Sequence, residues 1–481
     1  MKDEDFIARV RRHRPSALLP RIAEFASTRQ ESETWFRPGQ RGIGTPWALA
    51  EVARVSIAYG NEHRQAANTA DVVACNLAYN NLDDPELMEG YQGPLAGFFL
   101  RMSEQLEYQL PPLHEMSRSV ALFGDTTPTR PPKVIRPGWD RELFGTDLIS
   151  FIAAGEMLHT ATRPNSGRFN PKWLDQPNFE FVADYIKPDH LRAGLDNYVA
   201  DAPTIAASNG RPNPSPWRRL DFNPLLGRPA VRGLHEDWLI PVPALTIRRL
   251  SPLGIYYAGI EKWGTQFAED LGDLFENYIG NSLRIQEHGT VEAGFTYDHD
   301  KKETVDYIVT LPEVVVLVEV KSARPTAAVR AGNEAARREL MRMLGRGIEQ
   351  LERADELIEH GHPAFAHIPT DRPRVGMLVT MESFHVLNSR FHTPIFKRGR
   401  PELPITVASA GETEHWVTVD DTTPGRVILD ALSRAVDHED PALGFHLKNS
   451  LEGRKHRRNP LIDASWESGP WQQLTRPETD D

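Results

Sequence analysis

The sequence predicts a multi-domain protein in which a helical N-terminal domain precedes an α/β core of the order helix, three strands, helix, strand. Three observations support this prediction. The chain has 481 residues, enough for about three domains of the usual size. Apolar residues recur at helical spacing through the N-terminal part. Between residues 264 and 409, helical spacing alternates with extended, β-branched runs.

The pattern divides the chain into four regions. We expect a helical N-terminal domain over residues 1–125, a helical and irregular linking region over 126–245, the α/β core over 246–425, and a C-terminal helix with a polar tail over 426–481. The proline-rich segment 126–137 suggests an exposed connection. Helical spacing before the core predicts helices over residues 3–13, 16–27, 47–59, 64–79, 85–107 and 141–160.

Composition restricts the function classes. No apolar run approaches the roughly 20 residues that span a bilayer, and the N-terminus lacks the apolar segment of a signal peptide, so we expect a cytoplasmic protein without a membrane partner. The single cysteine, Cys75, excludes an intramolecular disulfide and a cysteine zinc cluster, and we expect it in a core. No sequence motif supports an ATPase, a dehydrogenase, a serine hydrolase or a zinc protease.

Two β-branched runs in the core predict a hairpin. Residues 303–310 and 314–321 are separated by a turn-like break around Pro312, so the two strands should pair antiparallel. Residues 314–318 are all apolar, which predicts a central strand that is covered on both faces. Helices are expected on either side of the hairpin, over 264–283 and 331–360, and further strands over 284–296, 373–381 and 405–409.

Three charged residues of this hairpin, Asp306, Glu319 and Lys321, are candidate site residues. A turn centred near Pro312 places Asp306 opposite Val318 or Glu319, and strand alternation puts Glu319 and Lys321 on one face. A carboxylate at a buried strand end is tolerated when it is paired or binds a metal. Because Mg²⁺ and Mn²⁺ prefer oxygen ligands, Asp306 and Glu319 are candidate ligands of such an ion. Lys321 is a candidate to position a water or to stabilise charge at a phosphate.

The two flanking helices extend the candidate site. Glu276 lies beside the apolar stripe of the first helix, where it could reach the same ion directly or through water. On the second helix Arg338, Arg342, Arg346 and Gln350 follow one another at a spacing of four residues. We expect these arginines to contact nucleic-acid phosphates without reading bases. The net charge of −12 argues against a basic surface over the whole protein, so this positive patch would be local.

With these residues in this order, the chain resembles the PD-(D/E)XK phosphodiesterase superfamily, which has the restriction-endonuclease-like fold. The resemblance implies that Asp306 is the motif aspartate and that Glu319 and Lys321 are its second half. It also implies that Glu276 is the glutamate found on the first helix in this family, so that Asp306, Glu319 and Glu276 bind the metal. Gln350 would be the glutamine that some branches carry on the second helix. One residue departs from the motif, because Val305 stands in place of the proline.

The resemblance implies a Mg²⁺- or Mn²⁺-dependent endonuclease that hydrolyses the phosphodiester bonds of DNA, in a setting of restriction or anti-phage defence, as a homodimer or with defence-system partner proteins. Three alternatives stay open. The polar residues could form an ordinary cross-strand ion network on a surface hairpin. The chain could be a non-catalytic nucleic-acid-binding or scaffold subunit that kept the fold. It could also be an enzyme unrelated to nucleic acid that uses paired carboxylates for acid and base work.

Overall fold

The computed structural model describes residues 1–28, 43–83, 105, 108, 111–210, 221–299, 302–322, 334–383, 403–437 and 443–470. Within these residues the protein is mixed α/β, as the sequence predicts. None of its described helices is both long enough and apolar enough to span a bilayer. The limits expected at residues 125, 245 and 425 stay predictions. One buried hydrophobic cluster crosses all three, because it runs from Met116 to Leu451.

Four helices make up the described N-terminal part, namely α1 (Asp3–Val10), α2 (Pro15–Ser27), α3 (Pro46–Tyr59) and α4 (Thr69–Asn80). Their apolar faces bury a second hydrophobic cluster, which includes Cys75 as a core residue, as expected. Helix α4 begins at Thr69, later than the sequence pattern predicts. The reason is a capping box, in which Asn68 and Asp71 each accept a hydrogen bond from the other's backbone amide. The helix expected over 85–107 lies outside the described residues, apart from residue 105.

The region expected to link the domains contains regular structure. Within it lie α6 (Trp139–Phe144), α7 (Leu148–Thr162), α8 (Pro188–Asp196) and α9 (Ala202–Ala207). Helix α5 (Pro112–Val120) precedes it, α10 (Ala244–Leu250) crosses its expected end, and α11 (Pro252–Trp263) follows it. A small sheet of the order β1-β4-β3-β2 lies among them, formed by β1 (Arg168–Phe169), β2 (Val199–Asp201), β3 (Ala230–Arg232) and β4 (Trp238–Leu239). The prediction of a single helix over 141–160 is wrong. The structure has two helices there, because Gly145 at φ 73° ends α6 and Asp147 caps the start of α7.

The core follows in the order helix, strands, helix, strands. Helix α12 (Thr265–Leu283) precedes β5 (Thr290–Ala293), β8 (Tyr307–Thr310) and β9 (Val315–Lys321), and helix α13 (Glu334–Glu359) precedes β10 (Arg374–Thr380) and β11 (Ile405–Ser409). The expected strand over 284–296 is shorter, and the one over 303–310 is divided. A separate two-stranded ribbon, β6 (Thr296–Tyr297) with β7 (Lys302–Glu303), turns out of the sheet between β5 and β8. Asp306 therefore lies just before β8 and not within it.

The five core strands form one mixed sheet of the order β11-β10-β9-β8-β5. Strands β9, β10 and β11 are parallel, whereas β8 is antiparallel to both of its neighbours. On β9, Val316 and Val318 pack in the cluster that contains α12, and Val315 and Leu317 pack in the cluster that contains α13. The central strand is thus covered on both faces. Because side chains alternate, Glu319 and Lys321 lie on the α13 face.

The C-terminal part contains more helices than the single one expected. After the core come α14 (Ala410–Val417), α15 (Pro424–Asp437), α16 (Leu443–Leu451) and α17 (Pro460–Glu467). Trp416 is fully buried in the main cluster, and its indole nitrogen donates to the Pro424 carbonyl at 2.9 Å. These helices therefore belong to the same hydrophobic core as the sheet.

The proline-rich segment 126–137 is held by two carboxylates of α12. Asp273 accepts a hydrogen bond from the Thr129 amide at 2.8 Å. Asp270 accepts from the amides of residues 133–135 at 2.7–2.9 Å. Most side chains of the segment are exposed, as a surface connection requires, but its backbone is anchored to the helix that carries Glu276.

A buried ion cluster joins α5, α12 and α14. Arg118 pairs with Glu115 on its own helix and donates two hydrogen bonds of 2.7 Å to Glu414. The Tyr278 hydroxyl donates to the same carboxylate at 2.6 Å. Burial by itself raises the pKa of Glu414, but Arg118 and these hydrogen bonds outweigh it and hold the pKa below its ordinary value. The cluster is well satisfied and fixes three helices to one another.

We expect Arg118→Met to lower the free energy of unfolding by about 3–5 kcal/mol, because it leaves Glu115 and Glu414 buried without their partner. Urea-induced unfolding measures the loss. The matched control is Arg21→Met, which removes an exposed Arg–Glu pair of the same spacing and should cost less than about 1 kcal/mol. Equal losses in the two variants would contradict a stabilising role for the cluster.

Candidate active site

The pairing of β8 with β9 brings Asp306 and Glu319 together. The register pairs Tyr307 with Val318, so the next position outward places Asp306 beside Glu319. The Asp306 carboxylate is held there by the Val320 amide, which donates to Oδ2 at 2.7 Å. Sequence reasoning placed Asp306 opposite either Val318 or Glu319, and the structure places it opposite Glu319.

Glu319 is fully buried, with 0% of its surface exposed. Its Oε1 pairs with the Lys321 ammonium, two residues along the same strand face. Its Oε2 is also buried and carries no hydrogen bond from the described residues. A buried carboxylate oxygen without a partner is costly, because its hydration is lost and nothing replaces it. Half of this carboxylate is therefore available to a ligand.

Helix α13 supplies the next neighbours. The Lys321 ammonium lies 3.4 Å from Oε1 of Gln350. The helix can come this close because of Gly347, where an added Cβ would lie 2.7 Å from Leu378 Cδ1 and 3.3 Å from Glu319 Cγ. Sequence reasoning named Gln350 but gave Gly347 no part in the site. A glycine three residues before Gln350 on the same helix was the only signal available.

Glu276 reaches the same end of the sheet from α12. It is half-buried, and its pKa is raised to about 7 by burial first and then by Asp306 and Asp273. The Tyr307 hydroxyl donates to the Glu276 carbonyl oxygen at 3.1 Å. Gly280 leaves room for that ring, since an added Cβ would lie 2.2 Å from the Tyr307 hydroxyl. Tyr307 and Gly280, which sequence reasoning missed, thus fix α12 against the hairpin.

The electrostatics of the site favour a cation. Burial raises the pKa of Asp306, against the opposing effects of the Val320 amide and Lys321. Burial and then Asp306 raise the pKa of Glu319 from its ordinary value of 4.5 to about 8, even though Lys321 opposes the rise. Lys321 acts on all three carboxylates, Asp306, Glu319 and Glu276, and Arg130 acts on Glu276 as well. A divalent cation would relieve this repulsion, and oxygen donors of this kind are those that Mg²⁺ and Mn²⁺ take.

In their present conformation the candidate ligands do not form a complete metal site. Over the described residues, no three His, Cys, Asp or Glu side chains converge closely enough to hold a metal ion. Glu319 turns one oxygen towards Lys321 instead. The unpartnered Oε2 of Glu319, next to Asp306, is the feature that fits a metal, and the ligand set of Asp306, Glu319 and Glu276 stays a prediction.

The predicted nucleic-acid contacts lie on α13. Arg346 is exposed and stands four residues before Gln350 on the same helix. A phosphate that approached Lys321 along this part of α13 would pass the positively charged Arg346. The side chains of Arg338 and Arg342 lie outside the described residues.

Comparisons with known proteins gave no match to a family model and none to a curated protein. The resemblance to the PD-(D/E)XK superfamily rests on Asp306, Glu319, Lys321 and the order of the elements around them.

The raised pKa of Glu319 predicts a pH dependence of stability without metal. A carboxyl whose pKa is about 8 when folded and 4.5 when unfolded keeps its proton longer in the folded state. The free energy of unfolding should therefore fall as the pH rises through this interval. In EDTA, urea unfolding across this range should show a smaller fall for Glu319→Gln than for the wild type. The control Glu359→Gln, at an exposed position of α13, should keep the wild-type slope. Identical slopes in all three proteins would contradict the buried, uncompensated state of Glu319.

Proposed function

We propose that this chain is a metal-dependent nuclease that hydrolyses phosphodiester bonds of DNA. The observation that carries the proposal is the state of Glu319. This buried carboxylate pairs one oxygen with Lys321, finds no hydrogen-bond partner for the other among the described residues, and lies beside Asp306 at the end of the central strand. Perturbed, half-satisfied ionisable groups of this kind are typical of functional sites.

The carboxylates define what the site could hold. Asp306 and Glu319 would bind a Mg²⁺ or Mn²⁺ ion, and Glu276 would join them directly or through a water. When bound, such an ion supplies positive charge to phosphate oxygens and lowers the pKa of a coordinated water. The protein contributes the fixed position of the two carboxylates, because β8, β9 and the Val320 amide hold them on a paired strand end.

Lys321 and Gln350 would act on the substrate from the α13 side. The ammonium lies between the Glu319 carboxylate and the Gln350 side-chain oxygen, so two acceptors fix its position. A Lys ammonium has three donors, which leaves one for a phosphate oxygen or for the attacking water. Preorganised charge of this kind stabilises the charge that develops in the transition state. Lys321 is therefore the residue expected to contribute most to the rate after the two carboxylates.

Two further observations support the proposal. The described elements follow one another in the order that the PD-(D/E)XK resemblance implies, with α12 and α13 on opposite faces of the sheet. Arg346 is exposed on α13, four residues before Gln350, where it could contact a phosphate. Restriction or anti-phage defence is the setting that the resemblance suggests, by analogy of fold.

We expect the purified chain to cut DNA with Mg²⁺ or Mn²⁺ and not with EDTA. Plasmid, linear duplex, single-stranded DNA and RNA should be tested side by side. Asp306→Asn, Glu319→Gln and Lys321→Met should each slow cleavage by at least about 100-fold, because each removes charge that acts at the phosphate. Lys302→Met and Glu359→Gln, at exposed positions away from the strand end, are the matched controls.

Cleavage that survives Asp306→Asn or Lys321→Met would contradict the mechanism. Metal and DNA binding without cleavage, alone or with candidate partners, would contradict the nuclease and favour the non-catalytic, nucleic-acid-binding subunit.

DNA affinity gives an independent prediction. If Arg346 contacts a phosphate, Arg346→Gln should weaken binding equally for unrelated sequences and lower the slope of log affinity against log salt by about one. The measurement is fluorescence anisotropy in Ca²⁺ at several salt concentrations. Arg434→Gln, an exposed arginine on α15, is the control and should leave the slope unchanged. An unchanged slope in Arg346→Gln would place the DNA elsewhere.

A further inference from the structure

A cavity of about 770 Å³ lies between the N-terminal helices and α11, away from the candidate active site. Its walls come from α3, α9, α11 and the segment 221–228, and they join residues of both large hydrophobic clusters. None of Glu276, Asp306, Glu319, Lys321 and Gln350 lines it. The volume is in the range of cavities that hold small organic ligands.

A buried arginine, Arg249, lines this cavity and forms no ion pair with a carboxylate of the described residues, although Glu261 on the same wall attracts it at longer range. Arg249 is 5% exposed, and Nη1 donates to the Gly254 carbonyl at 3.0 Å. Its Nε is buried and has no hydrogen-bond partner in the described part of the chain. The guanidinium lies 5.1 Å from the centre of the Phe151 ring and 5.8 Å from that of Phe144. Burial lowers the pKa of Arg249 to about 10. A buried guanidinium that pairs with no carboxylate is suited to an anionic ligand.

Other groups on the walls add charge and ring surfaces. Arg228, Arg248 and Lys262 also line the cavity, so that with Arg249 four basic residues stand against three acidic ones, Glu51, Asp221 and Glu261. Phe222 and Tyr257 also line it, and they keep 54% and 37% of their surface exposed. Large aromatic side chains with this much exposure are unusual over the described residues. Aromatic faces at a cavity provide a stacking surface for a planar ring.

The same cavity contains hydrogen-bond acceptors. Glu51 and Asp221 line it, and the buried Arg54 lies within reach of both, with Nε 2.8 Å from a Glu51 oxygen and Nη1 3.7 Å from an Asp221 oxygen. Arg54 holds these carboxylates in place and compensates part of their charge. A lone pair of Glu51 could accept a hydrogen bond from an amino group of a ligand.

We propose that this cavity binds a nucleoside phosphate. The phosphate would lie against Arg249 and Arg228, the base would stack on Phe222 and Tyr257, and amino groups of the base would donate to Glu51. A ligand with only an anionic group would leave the rings and acceptors unused. A purely apolar ligand would leave Arg249 without an anion. The proposal does not depend on nuclease activity, because the two sites share no residue.

Isothermal titration calorimetry on the full chain tests the proposal. The ribonucleoside triphosphates, inorganic phosphate and the free nucleosides are titrated separately in EDTA, which prevents metal-dependent binding at Asp306. We expect at least one triphosphate to bind at one site per chain, at least tenfold more tightly than phosphate or its nucleoside. Arg249→Met and Arg228→Gln should each weaken this binding at least tenfold. Arg232→Gln, an exposed arginine outside the cavity, and Asp306→Asn should leave it within twofold.

Three results would overturn the proposal. The first is that no nucleotide binds to the folded wild type. The second is that inorganic phosphate binds as tightly as the nucleotide. The third is that Arg228→Gln binds like the wild type. Loss of binding in Asp306→Asn would also contradict the proposal, because it would place the nucleotide at the candidate active site. Thermal unfolding of each variant shows that it is folded. Because Arg228 is exposed, its variant keeps the test decisive even where Arg249→Met fails to fold.

Discussion

The pairing of Tyr307 with Val318 is the constraint on which the candidate site depends. A slip of one residue between β8 and β9 would separate Asp306 from Glu319 and turn the paired side chains to the other face. Two features oppose a slip. The turn is closed by the Leu311 amide, which donates to the Val314 carbonyl at 3.0 Å. On its other side β9 pairs with β10 along its whole length. The position of two carboxylates thus follows from backbone hydrogen bonds and apolar packing.

Two buried glutamates show how the same side chain takes different roles. Glu414 accepts hydrogen bonds from Arg118 and Tyr278, and its pKa lies below its ordinary value. Within the described part of the chain, Glu319 has an ammonium partner on one oxygen, no hydrogen bond on the other and a neighbouring carboxylate, and its pKa is raised. Burial is nearly complete in both. The two glutamates differ in how many hydrogen-bond partners their carboxylates have. Glu414 therefore has a structural role, whereas Glu319 can still bind a ligand.

Sequence patterns predicted the elements that are long and periodic. The apolar run of β9 and the stripe on α12 are several residues long, so their period was readable and Glu319 could be placed on a strand face. Strands β1 to β4 have two or three residues each, too few to show a period. Gly347 matters because an added side chain would collide with Leu378. The cavity at Arg249 is lined by segments that lie far apart in the chain. Such contacts between distant residues have no pattern in a single sequence.

The attachment of segment 126–137 to α12 affects how the protein would respond to proteases. A protease cleaves a backbone segment only after the hydrogen bonds of that segment break and the segment enters the active-site cleft. Exposure alone therefore does not make a cleavage site. Here most side chains face solvent while Asp270 and Asp273 hold the amides of residues 129, 130 and 133–135. Cleavage in this segment is governed by the free energy of detaching it from α12. The same detachment would leave Asp270 and Asp273, on the helix that carries Glu276, without these hydrogen bonds.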